Sequence, residues 1–216
     1  MLGSGHSARA AGFRFVVVVA SLGGLPVLTT LVHGLPDAFP VPVLVISHRP
    51  RSEHDNLTPL LQKQTRLPVR PGTAGLAVWG PGITVIPGRT SATISGRQLA
   101  LEPTTGYPDL AGDTLLASAA EAARPFPGIA VILSGMLQDG ARGIRPVKRY
   151  GGRVLAQDPA TARAAGMPSS AIATGYVDFV LPPHRLAAAL VALTMAPGGA
   201  ALLAVPSPHW AGLGPS

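Results

Sequence analysis

The sequence predicts an α/β fold: a doubly wound, mostly parallel sheet with helices on both faces. Three observations carry that expectation. The runs Val16-Val17-Val18-Val19-Ala20, Val43-Leu44-Val45-Ile46 and Ile129-Ala130-Val131-Ile132-Leu133 have the length and unbroken hydrophobicity of strands buried on both sides. Helix-length segments alternate with these runs, the pattern of βαβ units. Charged residues are only 12% of a 216-residue chain that is 47% hydrophobic, as a sheet hidden between two helical layers requires. The length suits one Rossmann-like, three-layer domain with a substantial core.

Residues 1–12 are small, polar and Ala-rich and read as a disordered leader. The folded domain is expected over 13–195, and the Pro-, Gly- and Ala-rich stretch 196–216 reads as a loose tail. Within the domain, a strand at 14–20 leads to a helix at 24–33, and a strand at 43–47 to a helix at 55–66. Trp79-Gly80-Pro81-Gly82 is turn chemistry before a short strand at 83–86. Ser95-Gly96-Arg97 joins 91–94 to 98–102 as a small β-hairpin. A helix at 113–123 precedes the strand at 129–134, and a further helix spans 140–150 with Pro146 a mark against its regularity. A strand at 153–157 and a helix at 186–193 complete the series.

Residues 15–32 are the most hydrophobic stretch, but Gly23-Gly24 and Pro26 break it and no cleavage site of the small-x-small type follows. Strand, loop and helix describe it better than a signal or a membrane span. No membrane insertion is expected, and the expected location is the cytoplasm.

The chain has no cysteine, which excludes disulfides, thiolate metal sites and cysteine nucleophiles. Its net charge of +7 suits an acidic partner. No helix-turn-helix, zinc-finger or aromatic-interleaved RNA motif accompanies that charge, so nucleic acid is not expected. Arg142, Arg145, Lys148, Arg149 and Arg153 form the one compact basic cluster. Positions 142, 145 and 149 share a helical face, which reads as a solvated surface or as a face that steers an acidic protein.

Three of the strands end on reactive side chains. Ser21 follows the first in Ala20-Ser21-Leu22-Gly23-Gly24, His48 follows the second, and Asp139 lies in the Gly-rich loop after 129–134. Ligands bind at the carboxyl ends of parallel strands, and serine, histidine and aspartate gathered there are the parts of a hydrolytic triad. Each has a plainer alternative: Ser21 as a helix N-cap, His48 as a structural histidine, Asp139 as the cap of the next helix. The other histidines, at 6, 33, 54, 184 and 209, lie in the tails or on or beside helices. The serine turn is neither Gly-x-Ser-x-Gly nor a dinucleotide fingerprint.

Seven pieces, in order between Phe13 and Leu190, carry a resemblance. They are Ala20 to Gly24, Ile46-Ser47-His48-Arg49-Pro50, Pro81-Gly82-Ile83-Thr84-Val85-Ile86-Pro87-Gly88, Asp113-Thr114-Leu115-Leu116, Leu133 to Ala141, Ala156-Gln157-Asp158 and Ala165-Gly166-Met167-Pro168. With them the chain resembles the catalytic domain of the CheB-type protein-glutamate methylesterases. The resemblance implies Ser21 as nucleophile, His48 as general base and Asp139 as its orienting carboxylate. It places Leu22 and Met136 at the oxyanion and substrate side, and it implies no cofactor and no metal. It implies hydrolysis of glutamyl methyl esters, with deamidation of glutamine, on an acidic, helical, receptor-like protein. Leu22 stands where the family usually has Thr, Ser or Ala, and Leu137-Gln138 where Gly-Asn is commoner. Leu110-Ala111-Gly112-Asp113 replaces a motif that usually reads Arg-Pro-Ser-Val-Asp, so a basic substrate-side residue is missing. About a dozen residues before the first strand are too few for a receiver domain, which leaves room for a separate regulatory protein. Two other readings stay open: an esterase or amidase for another substrate, and a degenerate domain that binds an acidic protein without turnover.

Overall fold

A computed structural model describes residues 12–49, 55–104 and 110–199. All but the last residue of the predicted leader, and all but the first four residues of the predicted tail, lie outside them. Seven strands form one sheet: β1 (Val16–Ala20), β2 (Val43–Ser47), β3 (Val69–Pro71), β4 (Ile83–Val85), β7 (Ile129–Ile132), β8 (Arg153–Gln157) and β9 (Phe179–Leu181). Their order is β3-β4-β2-β1-β7-β8-β9, and every pairing is parallel. β5 (Thr90–Ser95) and β6 (Gln98–Pro103) make the separate antiparallel hairpin.

The alternation of side chains along β1 divides the core in two. Val16, Val18 and Ala20 pack with α1 (Gly24–His33), α2 (Leu57–Gln62) and α6 (Pro183–Met195). Phe15, Val17 and Val19 face the hairpin, α3 (Ala111–Ala122), α4 (Ile144–Arg149) and α5 (Gly166–Ala173). Both faces of the central strands are therefore apolar and covered, which is why their sequences run unbroken instead of alternating. The expected doubly wound architecture is the observed one.

The differences lie at the periphery. β3 and β9, three-residue strands at the two edges that are only partly buried, are not among the expected elements. The helix expected over 140–150 is only Ile144–Arg149, because residues 140–143 form a turn tied to α3. α5, built of small residues around Pro168, has almost no amphipathic pattern in its sequence. The basic cluster is not one surface either. Lys148 is buried and pairs with Asp178 at 2.6 Å, while Asp178 also accepts the Val154 amide at 2.7 Å. Lys148 is thus a core cation tying α4 to β8, and Arg142, Arg145 and Arg149 remain exposed.

What the topology positions is one edge of the sheet. The chain winds outward from β1 to β3 and β4, then crosses back to β7 on the other side of β1. The switch point falls at the carboxyl ends of β1 and β7, whose following helices lie on opposite faces, the place where ligands bind in folds of this kind.

Candidate active site

Ser21 is the first residue beyond β1, and His48 the first beyond β2. The two strands pair Ala20 with Ser47, and the His48 amide donates to the Ala20 carbonyl at 3.0 Å. Ser21 and His48 therefore leave the sheet side by side. On the other flank the Ser21 amide donates to the Ser134 carbonyl at 2.9 Å, which ties the serine to the loop after β7.

That loop runs against the serine. A Cβ on Gly135 would stand 2.7 Å from Ser21 Cβ and 2.0 Å from Met167 Sδ, so only glycine permits the approach. Beyond it Leu137 takes a left-handed conformation, φ 63°, at about 1–2 kcal/mol for a non-glycine residue. The turn returns the chain so that Asp139 is carried back, 2% exposed, toward His48.

Asp139 is held by four donors. Its Oδ2 accepts His48 Nε2–H and the Gly112 amide, each at 2.8 Å. Its Oδ1 accepts the amides of Asp113 at 2.8 Å and Gly140 at 2.9 Å. Two of these amides open α3, so the carboxylate sits at the positive end of a twelve-residue helix. A Cβ at Gly112 would lie 2.6 Å from Oδ2, and the missing side chain is what lets the carboxylate seat there. With Nε2–H donated to Asp139, Nδ1 is the acceptor nitrogen of the neutral imidazole. Asp139 does meet the amide of Gly140, as a local cap would, but most of its bonds go to histidine and to a different helix.

Asp113 answers from the other side. Its Oδ1 accepts the amides of Arg142 at 2.9 Å and Gly143 at 2.7 Å, in the turn that leads into α4. Its Oδ2 is buried with no partner among the described residues. Burial pushes its carboxyl above the ordinary range, the nearby Asp139 charge adds to the rise, and the backbone donors oppose it. Asp113 stood in the sequence within a recognisable motif, but nothing local announced that it clamps the loop bearing Asp139.

The Ser21 hydroxyl makes no hydrogen bond among the described residues, and α1 is capped by Gly23 at φ 79°. Ser21 is not an N-cap in this structure. The backbone amides of Leu22 and Met136 likewise donate to no described group, and both residues are exposed beside the serine. A hydroxyl flanked by a histidine–aspartate pair and by two unengaged amides is an arrangement able to attack a carbonyl and hold the resulting oxyanion. Arg49, next to His48, is occupied elsewhere. It pairs with Asp55 and donates to the carbonyls of Ser47 at 3.1 Å and Ile86 at 2.8 Å. Burial pushes Asp55 up, but the Arg49 guanidinium and the Leu57 amide outweigh it and hold the carboxyl below its ordinary value. Arg49 thus pins the loop that presents His48. No group of His, Asp and Glu among the described residues is arranged to hold a metal ion.

Comparison with known proteins places this geometry in context. The family model for CheB methylesterase matches residues 16–190. A protein-glutamate methylesterase/protein-glutamine glutaminase 2 of Anaeromyxobacter dehalogenans is 34% identical over 197 residues, 87% of this chain and 55% of that protein. The protein-glutamate methylesterase FrzG of Myxococcus xanthus is 34% identical over 189 residues, 83% of this chain and 54% of FrzG. The chain spans about half the length of the curated relatives it matches. The crystal structure of the Thermotoga maritima CheB methylesterase catalytic domain superposes with a TM-score of 0.72 at 32% identity, covering 83% of this chain and 97% of that one.

Proposed function

The chain belongs to the CheB methylesterase family, and from that membership we propose that it is a serine hydrolase cleaving glutamyl methyl esters on a protein, with Ser21, His48 and Asp139 as its triad. The observation that carries the reading is the His48 Nε2–Asp139 Oδ2 bond at 2.8 Å beside the Ser21 turn.

In the proposed cycle His48 Nδ1 takes the Ser21 proton as Oγ attacks the ester carbonyl. Asp139 holds the ring in the required tautomer and stabilises the imidazolium that forms. The amides of Leu22 and Met136 receive the developing oxyanion. Collapse expels methanol, protonated by His48, and leaves a glutamyl ester on Ser21. Water, deprotonated by the same nitrogen, then frees the glutamate. A glutamine side chain entering the same site loses ammonia by the same route. No step calls for a cofactor.

The catalytic unit in this reading is residues 13–195. The substrate is an acidic, helical, receptor-like protein, which the net charge of +7 favours. An open groove of about 480 Å³ lined by Arg142, Arg145, Arg149 and Tyr176 lies on the segment that follows Asp139 and offers such a protein a basic approach. A separate regulatory protein and a cytoplasmic location complete the proposal. No helix among the described residues is long and apolar enough to cross a membrane. Incubating the purified protein with a methyl-esterified glutamyl peptide and measuring methanol tests the reading. Methanol release that disappears in Ser21→Ala supports it; a wild-type protein that releases none overturns it.

A further inference from the structure

The rim around Ser21 is mostly apolar. Leu22, Leu25, Met136 and Leu137 are between 43% and 56% exposed; Leu22 lies in the turn after the serine, Leu25 in the first turn of α1, and Met136 and Leu137 in the loop after β7. One cation enters this rim from a third segment. Arg163 lies between the 3-10 turn Pro159–Thr161 and α5. Its stem lies over Gly23: a Cβ at Gly23 would stand 2.5 Å from Arg163 Cβ and 3.2 Å from its Cδ. Gly23 is two residues past Ser21, so the arginine rises beside the nucleophile's own turn.

The segment is fixed there by Ser134, which is fully buried. Its hydroxyl lies 2.8 Å from the Leu22 carbonyl and 3.3 Å from the Ala164 carbonyl, and it accepts the Ala164 amide at 3.0 Å. The Gly135 amide donates to the same Ala164 carbonyl at 2.9 Å. Arg163 is therefore anchored through its neighbour to both loops of the site. Its guanidinium is exposed and has no hydrogen bond and no ion pair among the described residues. Among the described residues, Asp139 is engaged by His48, Asp55 by Arg49, and Asp158 by the Ala160 amide at 2.9 Å.

We infer that Arg163 is a specificity-determining residue: it receives a carboxylate of the substrate chain lying beside the ester. The inference rests on the methylesterase reading of Ser21 and deepens it. Arginine presents a planar fork that matches a carboxylate in two hydrogen bonds, which makes the contact directional as well as attractive. The exposed rim residues Leu22, Leu25, Met136 and Leu137 supply shape and apolar area and do not themselves distinguish a glutamate from a glutamine at the flanking position. The substrate class is thus a glutamyl methyl ester with an acidic neighbour, and a fully esterified or amidated cluster is the poorer substrate.

The test uses methyl-esterified peptides carrying Glu, Gln or Lys at each position within one helical turn of the ester, together with a small neutral ester. For the wild type, kcat/KM should favour Glu over Gln at one flanking position by about tenfold, the scale of one hydrogen bond to a charged group. Arg163→Gln should abolish that preference, Arg163→Glu should reverse it toward Lys, and Arg163→Lys should keep part of it. All should hydrolyse the neutral ester within about twofold of the wild type, which also certifies that they are folded. Cleavage of both kinds of ester with no acidic preference, or a preference that survives Arg163→Gln, overturns the role of Arg163 and leaves the triad standing. A wild type that cleaves no ester overturns the methylesterase reading, and the role of Arg163 falls with it.

Discussion

Asp113 and Asp139 clamp each other's segments: the Asp139 carboxylate accepts the amides of Gly112 and Asp113 in the first turn of α3, and Asp113 Oδ1 accepts those of Arg142 and Gly143 in the turn before α4. Two buried acids in one site would repel, yet Asp139 accepts on both oxygens and Asp113 on Oδ1 from N–H donors that include the other's segment. The exchange fixes the turn 140–143, and so the position from which Asp139 reaches His48.

Removing one half of the clamp should loosen the other. Asp113→Ala leaves the amides of Arg142 and Gly143 without their acceptor, about 1–3 kcal/mol for each buried group left unpaired. Thermal unfolding should show a lower midpoint. Ester hydrolysis, compared at a temperature where the variant stays folded, should fall mainly in kcat.

The same residue gives a pH dependence with a definite sign. The Asp113 carboxyl is raised in the folded protein, so the folded state binds its proton more tightly than the unfolded chain. The stability it contributes is full below the unfolded value and is lost as pH climbs through the folded one. Asp113→Asn keeps the Oδ1 acceptor and cannot ionise. The stability of the wild type relative to this variant should therefore improve as the solution is acidified from neutrality, measured as unfolding midpoints across pH. A difference that moves the other way contradicts the assignment.

Asp139→Asn tests the tautomer argument. The asparagine amide can donate to the ring, which favours hydrogen on Nδ1 and removes the base. Hydrolysis should fall on the order of 10⁴-fold. A loss of only a few-fold would mean that Asp139 serves the fold and not the chemistry.

Leu137 carries strain that glycine would not. Leu137→Gly should relieve about 1 kcal/mol of left-handed backbone energy, partly offset by the greater freedom of glycine in the unfolded chain. Denaturant titration should show stability unchanged or slightly raised, whereas Leu137→Val, β-branched at the same φ, should be less stable than the parent.

Long-range attraction is a separate matter from the contact at Arg163. Arg145→Glu with Arg149→Glu, on the groove beside Tyr176, should lower kcat/KM for an acidic protein substrate and weaken its dependence on salt. A small neutral ester should be indifferent. Equal losses on both substrates would indicate damage to α4 instead.

Much of this was legible in the sequence. The central strands could be read because they are buried on both faces and so appear as unbroken apolar runs. Their ends placed Ser21, His48 and Asp139 together, since parallel strands deliver their carboxyl ends to one edge. What could not be read was non-local. Asp139 looked like the cap of the next helix, but it serves α3, twenty-six residues back at Asp113. Lys148 looked like part of a basic face because its partner, Asp178, lies thirty residues on. Ser21 looked like a cap because Gly23, which holds that place, needs a left-handed φ that serine does not signal. The edge strands β3 and β9 escaped because their three residues are only partly buried, whereas β4, equally short but buried throughout and preceded by a clear turn, could be read.

The central claim is that Ser21 is an activated nucleophile, and labelling with a fluorophosphonate probe followed by mass-spectrometric mapping of the adduct tests it most directly. The account predicts one adduct, on Ser21, absent from Ser21→Ala and formed far more slowly in His48→Ala. Folded protein that takes no label at Ser21, or labels equally fast without His48, would contradict it.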